Sequence, residues 1–389
     1  MIATSIRART RRTTTAFVVV GQIRQSLCLA AIGAALALLA GVAVPSTAGA
    51  AKKPCNGHPG LCAKTLNRVV LPGTHNSMSA EALDWNLPNQ TYGIPGQLAR
   101  GARAFLIDTY YGAQNPDGTV EDLSKAEGSE SGAKIYLCHA SCGGGASGLI
   151  EVFRQVRQFL VRNPREVLVF VNEDYVEADD FAAAVEESGL IDQVYEGPLD
   201  RWPTLNEMIL RNDRVLFLAQ SDAGEVPWYH RAYDGLMRET PYTFNFYAEA
   251  DYGKLTDPAR LEESCQPNRG ENTGGLFLMN HWMLASAVTP LREVAEVVNA
   301  RSVLVNRARI CEEVRGKLPT ILAVDFFGTG DVTGAALALN GLKPLRRLTP
   351  AQIRRKARAL CKRKRGRARK ACIRKQTARL KNQNRAIRA

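Results

Sequence analysis

The sequence predicts an α/β fold: a parallel sheet covered by helices, sized for one (β/α) barrel, with a small basic helical appendage after it. Three observations carry this expectation. Short apolar runs alternate with helix-like stretches between residues 67 and 327. The runs end in polar residues, and in parallel α/β folds the chemistry sits at the carboxyl ends of the strands. The body left between an apolar leader and a basic tail, residues 51–342, falls within the size range of a single barrel.

The elements follow in order. Residues 67–71 (Asn-Arg-Val-Val-Leu) read as a short strand ending at Pro72-Gly73. A helical stretch over 94–100 precedes a strand over 102–111, and 134–138 is a third strand. Residues 149–162 read as an amphipathic helix, because Ile150, Phe153, Val156, Phe159 and Leu160 share one face, and Asn163-Pro164 ends it. Residues 166–171 form a buried strand. Helices over 181–189 and 205–211 lead to a strand over 214–218. The last apolar strands are 276–279 and 320–327, with one long helical stretch over 291–315 between them.

Charge is laid out unevenly. The chain has 51 Lys+Arg against 38 Asp+Glu, a formal +13. Residues 343–389 hold 20 basic residues and no acid, whereas 51–342 hold 26 basic and 38 acidic residues, a net of −12. The overall pI of 9.4 therefore does not make the body a nucleic-acid binder. At 45% hydrophobic and 23% charged, the composition excludes a mainly disordered chain.

Residues 1–50 read as a signal peptide. Arg7, Arg9, Arg11, Arg12 and Arg24 precede the apolar run 27–44, and Ala48-Gly49-Ala50 suits cleavage before Ala51. An uncleaved membrane anchor is the alternative. Export to the cell surface or beyond is the expectation. Eight cysteines remain after Cys28, an even number that suggests disulfides in an exported chain. Proximity suggests Cys55–Cys62, Cys138–Cys142 and Cys361–Cys372, leaving Cys265 with Cys311, although spacing alone does not fix connectivity. No paired CxxC spacing points to zinc.

The polar residues that follow the apolar runs are His75-Asn76, Asp108, His139, Glu173-Asp174, Asn280-His281 and Asp325. Each suits acid–base or metal chemistry. Asn280 and His281 are candidates for lining a substrate pocket, with packing beside Trp282 as the other reading of His281.

The motifs Leu71-Pro72-Gly73-Thr74-His75-Asn76-Ser77, Gly101-Ala102-Arg103, Leu106-Ile107-Asp108 and Leu137-Cys138-His139 resemble the X domain of phosphatidylinositol-specific phospholipase C. So do Asn163-Pro164-Arg165-Glu166-Val167, Glu173-Asp174-Tyr175, Trp202-Pro203-Thr204-Leu205, Asn280-His281-Trp282 and Ala323-Val324-Asp325-Phe326. The set most resembles the stand-alone X-domain-containing branch and spans about residues 60–342.

The resemblance implies a TIM-type barrel, in some members incomplete. It also implies a phosphodiesterase in which the inositol 2-hydroxyl attacks the neighbouring phosphorus to give a cyclic phosphate that water then opens. His75 would activate the hydroxyl or stabilise the phosphorane, His139 would protonate the leaving oxygen, and Asp325 would orient His75. The pairing of Asn76 with Asp108 resembles the calcium-dependent members, so Asn76, Asp108 and Glu173 are the candidate calcium ligands. One departure stands out. Leu106 occupies the place of a further acidic ligand, which leaves a weaker site or one completed by Asn172 or Asp174.

The implied partner is a phospholipid or inositol-phosphate substrate; the basic tail reads as a binder of an anionic membrane or cell-surface polymer, with a solvated appendage that has no partner as the other reading. Nucleic acid is not expected, and a monomer is. The tail has good helix propensity and no Phe, Trp or Tyr on which bases would stack. Two rivals stay open. One is an inactive X-domain barrel that binds headgroups or glycans, favoured by Leu106. The other is a glycerophosphodiesterase-like barrel, against which Leu106-Ile107-Asp108 lacks the usual Glu-x-Asp pair.

Overall fold

A computed structural model describes residues 53–242, 257–270, 272, 274–286, 289–345 and 348–386. The leader, residues 1–50, lies outside the described residues.

The strands are β1 (Leu71–Thr74), β2 (Ala104–Gln114), β3 (Val120–Leu123), β4 (Lys134–Leu137), β5 (Ser147–Gly148), β6 (Leu168–Asp174) and β7 (Val215–Ala219). They continue with β8 (Tyr229–Arg231), β9 (Met237–Glu239), β10 (Leu276–His281), β11 (Leu284–Ser286), β12 (Thr289–Pro290) and β13 (Ile321–Val324). The helices are α1 (Ile94–Arg100), α2 (Lys125–Ser131), α3 (Leu149–Arg162), α4 (Ala178–Glu187), α5 (Leu205–Arg211) and α6 (Pro258–Glu263). After them come α7 (Arg292–Val298), α8 (Arg301–Arg315), α9 (Val332–Leu339), α10 (Pro350–Leu360) and α11 (Gly366–Ala386).

Eight parallel strands lie side by side in the order β8-β7-β6-β2-β1-β13-β10-β9. Among the described residues no ladder joins β8 to β9. The fold is thus a TIM-type α/β barrel left open at one seam. Residues alternate between its two faces. Leu71, Ala104, Leu106, Val169, Val171, Leu216, Leu218, Leu276, Leu278, Ile321 and Ala323 fill the interior. Phe105, Ile107, Phe170, Phe217, Phe277, Met279 and Leu322 face outward and pack against helices such as α3, whose Phe153, Val156 and Leu160 are buried.

Three local readings change. First, β1 starts at Leu71 and contains Pro72-Gly73, while Leu66–Arg68 forms a 3-10 turn. Gly73 suits the strand because a Cβ there would lie 2.9 Å from Ile321 Cγ2 and 3.2 Å from Ala104 Cβ. Second, the stretch 291–315 is two helices, broken at Asn299-Ala300. The break frees Asn299 to donate from Nδ2 to the Asp325 carbonyl (2.8 Å) and to accept from Asp331 N (3.0 Å). Third, β4 runs antiparallel to β2 and belongs, with β3 and β5, to a flap on the far end of β2.

The disulfides are Cys55–Cys62, Cys138–Cys142, Cys265–Cys311 and Cys361–Cys372. The last one staples α10 to α11. This hairpin has a small core of its own, made of Ile353, Ala357 and Leu380 with Leu348 and Ile373 against it.

Candidate active site

The candidate site is assembled at the carboxyl ends of the strands. On β2, β6 and β10, and just past the end of β13, the interior positions next above the apolar layer are Asp108, Glu173, Asn280 and Asp325, because each stands an even number of residues after an interior residue of its strand. His75 follows β1 directly, its amide bonded to the Val324 carbonyl (3.0 Å). His139 arrives from the flap, in the tight loop closed by Cys138–Cys142.

Two histidines are each held by a carboxylate. His75 Nδ1 lies 2.8 Å from Asp325 Oδ1, and His139 Nδ1 lies 3.1 Å from Asp108 Oδ2. When Nδ1–H donates, the opposite nitrogen, Nε2, is the one that takes or gives a proton. The His75 ring stacks on Trp282, centroids 3.6 Å apart and planes within 3°.

The two pairs are joined. His139 Nε2 is 3.1 Å from Asn76 Nδ2. Asn76 Nδ2 also reaches Asn89 Oδ1 (3.3 Å), and Asn89 Nδ2 donates to Asp325 Oδ1 (3.1 Å). Gln90 ties the same loop down, donating to the carbonyls of His75 (2.7 Å) and Val324 (2.9 Å). Asn89 and Gln90 are buried and carried no sequence signal, since they lie in irregular chain with no periodic pattern.

Electrostatics follow the geometry. Burial opposes a charge on His139, but its bond to Asp108 and the charges of Asp108, Glu173 and Asp325 outweigh that and raise its pKa above 6.5. Burial pushes the Asp108 carboxyl up, the His139 bond pulls it down, and the Glu173 charge beside it pushes it up again. The pair therefore holds a proton to higher pH than a free imidazole would.

The expected pocket residues Asn280 and His281 separate. Asn280 points into the barrel, where Nδ2 donates to Glu239 Oε1 (3.1 Å) and the Thr240 carbonyl (3.0 Å). His281 is on the outer face and fully buried, with Nε2 2.8 Å from the Val298 carbonyl and Nδ1 3.2 Å from Arg307. Burial, with the Arg307 charge added, lowers its pKa to about 3. This is a neutral packing histidine, away from the candidate site.

Among the described residues no three His, Cys, Asp or Glu side chains converge as a preformed metal site. Asp108 and Glu173 are nevertheless opposite one another on β2 and β6. Asn76, whose Nδ2 lies against His139, would add its side-chain oxygen to give three hard oxygens, against the six to eight that calcium takes. The set fits an ion that draws its other ligands from water and a phosphate. Leu106 adds nothing, being interior core. Neither do the two neighbours able to replace it. Asn172 faces outward to Thr109 and Tyr229, and Asp174 accepts from the amides of Ser221 and Asp222, each at 2.8 Å.

The TIM-type barrel thus carries two carboxylate-backed histidines at one end, His75 just after β1 and His139 from the flap. The family model described as PI-PLC X 1 matches residues 61–340, and the chain belongs to the PI-PLC X domain family. Two relatives come from Arthroderma benhamiae. One, named an uncharacterized secreted protein, is 28% identical over 73% of this chain; the chain spans 62% of that protein's length. The other, PI-PLC X domain-containing protein 1, is 26% identical over 78% of this chain and 95% of its own. A solved phosphatidylinositol-specific phospholipase C from Staphylococcus aureus is similar at a TM-score of 0.45 and 13% identity, over 72% of this chain and 94% of that one.

Proposed function

We propose that this chain is an exported phosphodiesterase that cleaves glycerophospholipids of the phosphatidylinositol kind. The observation that carries the reading is the pair of carboxylate-backed histidines linked through Asn76 and Asn89. Cleavage by internal attack needs one group to take a proton from the attacking hydroxyl and another to give one to the leaving oxygen. His75, oriented by Asp325 and braced by Trp282, takes the first role. His139 takes the second: Asp108 raises its pKa, and a proton on Nε2 replaces the Asn76 N–H that the neutral ring accepts. Export is supported by the leader and by the relative named as secreted.

Calcium is part of the proposal. Asn76, Asp108 and Glu173 would hold it, and when bound it neutralises phosphate charge and lowers the pKa of the attacking hydroxyl. Release of diacylglycerol from phosphatidylinositol, measured with calcium and with a chelator, tests the reading. Cleavage that falls on chelation supports it, and absence of any phosphodiester cleavage in calcium overturns it. The interior Leu106 favours a second reading, a headgroup-binding barrel without turnover. Saturable binding of inositol phosphate with no product would assign the chain to that class.

A further inference from the structure

We infer that the disulfide-stapled hairpin α10–α11 is a docking face for anionic lipid bilayers, holding the barrel at the surface by charge without inserting into it. The inference rests on the proposed lipid substrate only for the choice of a bilayer over other polyanions.

Three features of the hairpin carry it. Every Lys and Arg from Arg354 to Lys381 is exposed, and no acidic residue between 343 and 389 is there to neutralise them. The apolar stripe is already used within the hairpin: Ile353, Ala357 and Leu380 pack on one another, with Ile373 and Leu348 beside them. What is left outside is a surface of one sign, suited to headgroups, with Leu360 as its single exposed large apolar side chain among the described residues, too little to anchor the hairpin in the acyl region. The Cys361–Cys372 bond, where α10 meets the turn, keeps the two basic helices together. A flexible tail would have to order itself on each encounter.

The body alone has the opposite charge. Residues 51–342 carry a net charge of −12, so an anionic bilayer repels the barrel. The 20 positive charges after residue 342 reverse that balance on one appendage. Nucleic acid suits the hairpin less well, because residues 343–389 contain no aromatic side chain for base stacking.

The test uses the full chain. Binding is measured to vesicles of phosphatidylcholine alone and of phosphatidylcholine with about one third phosphatidylserine, across salt from about 0.05 to 0.5 M. The comparison is a variant carrying Arg354→Gln, Arg355→Gln, Lys356→Gln, Lys362→Gln, Arg363→Gln and Lys364→Gln. Gln is about as good a helix former as Lys or Arg, so the hairpin persists, and circular dichroism checks it. The wild type should bind only the anionic vesicles, progressively less as salt rises. The variant should lose at least about a hundredfold in affinity, with unchanged hydrolysis of a soluble headgroup diester. Equal binding by variant and wild type, or equal binding to neutral vesicles, overturns the inference. So does tighter binding of a DNA duplex than of anionic vesicles at the same salt. Vesicle binding as expected with no hydrolysis of any diester would sink the proposed function and leave the docking face standing.

Discussion

Replacing Asn89 with alanine tests whether the two histidines work as one unit. Asn89 Nδ2 donates to Asp325 Oδ1 at 3.1 Å, and its Oδ1 accepts from Asn76 at 3.3 Å. The first bond is charge-assisted and buried, which sets its worth at about 2 kcal/mol. The other Asp325 oxygen, Oδ2, is buried without a protein partner among the described residues, so nothing nearby replaces the lost donor. If Asp325 must be held for His75 to act, Asn89→Ala lowers kcat about 30-fold and leaves KM for a soluble inositol phosphodiester nearly unchanged. Thermal stability falls too, by about 3 °C. A double-mutant cycle with Asp325→Asn separates positioning from mere stability. Once Asp325 has lost its charge, Asn89→Ala should cost little more, a coupling of about 1 kcal/mol or greater. Turnover per folded molecule unchanged within about twofold, or two effects that simply multiply, would refute the reasoning.

Three further outcomes are expected. The unfolded chain protonates His281 near pH 6.5, whereas the folded protein refuses that proton down to about 3. Stability therefore falls as pH drops below 6.5, by about 1.4 kcal/mol per pH unit from this residue. His281→Phe should flatten the slope in denaturant melts between about pH 5 and 7, and an unchanged slope contradicts the assignment. Gly73→Ala pushes a methyl against Ile321, Ala104 and the Leu322 carbonyl, and urea unfolding should show a loss of about 1–3 kcal/mol. Calorimetric calcium titration should show weak binding alone and tighter binding with myo-inositol phosphate. Leu106→Glu, which supplies a third carboxylate, should tighten calcium alone by about tenfold; no change would remove Asp108 and Glu173 as ligands.

Much of the architecture was legible because helix amphipathicity and apolar strand runs are local signals. The face of α3 and the span of α5 follow from side-chain spacing alone. Strand parity was not legible. In a barrel both faces of a strand are apolar, so Leu276 to Met279 give no hint that Asn280 points inward and His281 outward. The direction of β4 was hidden for a related reason, since an apolar run reads the same in a parallel or an antiparallel ladder. Asn89 and Gln90 reach the candidate site only through the folding of the chain between β1 and α1. At the break in the stretch 291–315, Asn299 bonds the Asp325 carbonyl, a contact made 26 residues away that no local pattern announces.

The most direct measurement is phosphorus NMR of phosphatidylinositol incubated with purified wild type, His75→Ala and His139→Ala, all shown to be folded. The wild type should convert the diester resonance to a cyclic inositol phosphate or its opened product. Each alanine variant should be slower by about a thousandfold or more. A wild type that leaves the diester intact in the presence of calcium, or alanine variants that turn over at its rate, would contradict the two-histidine reading.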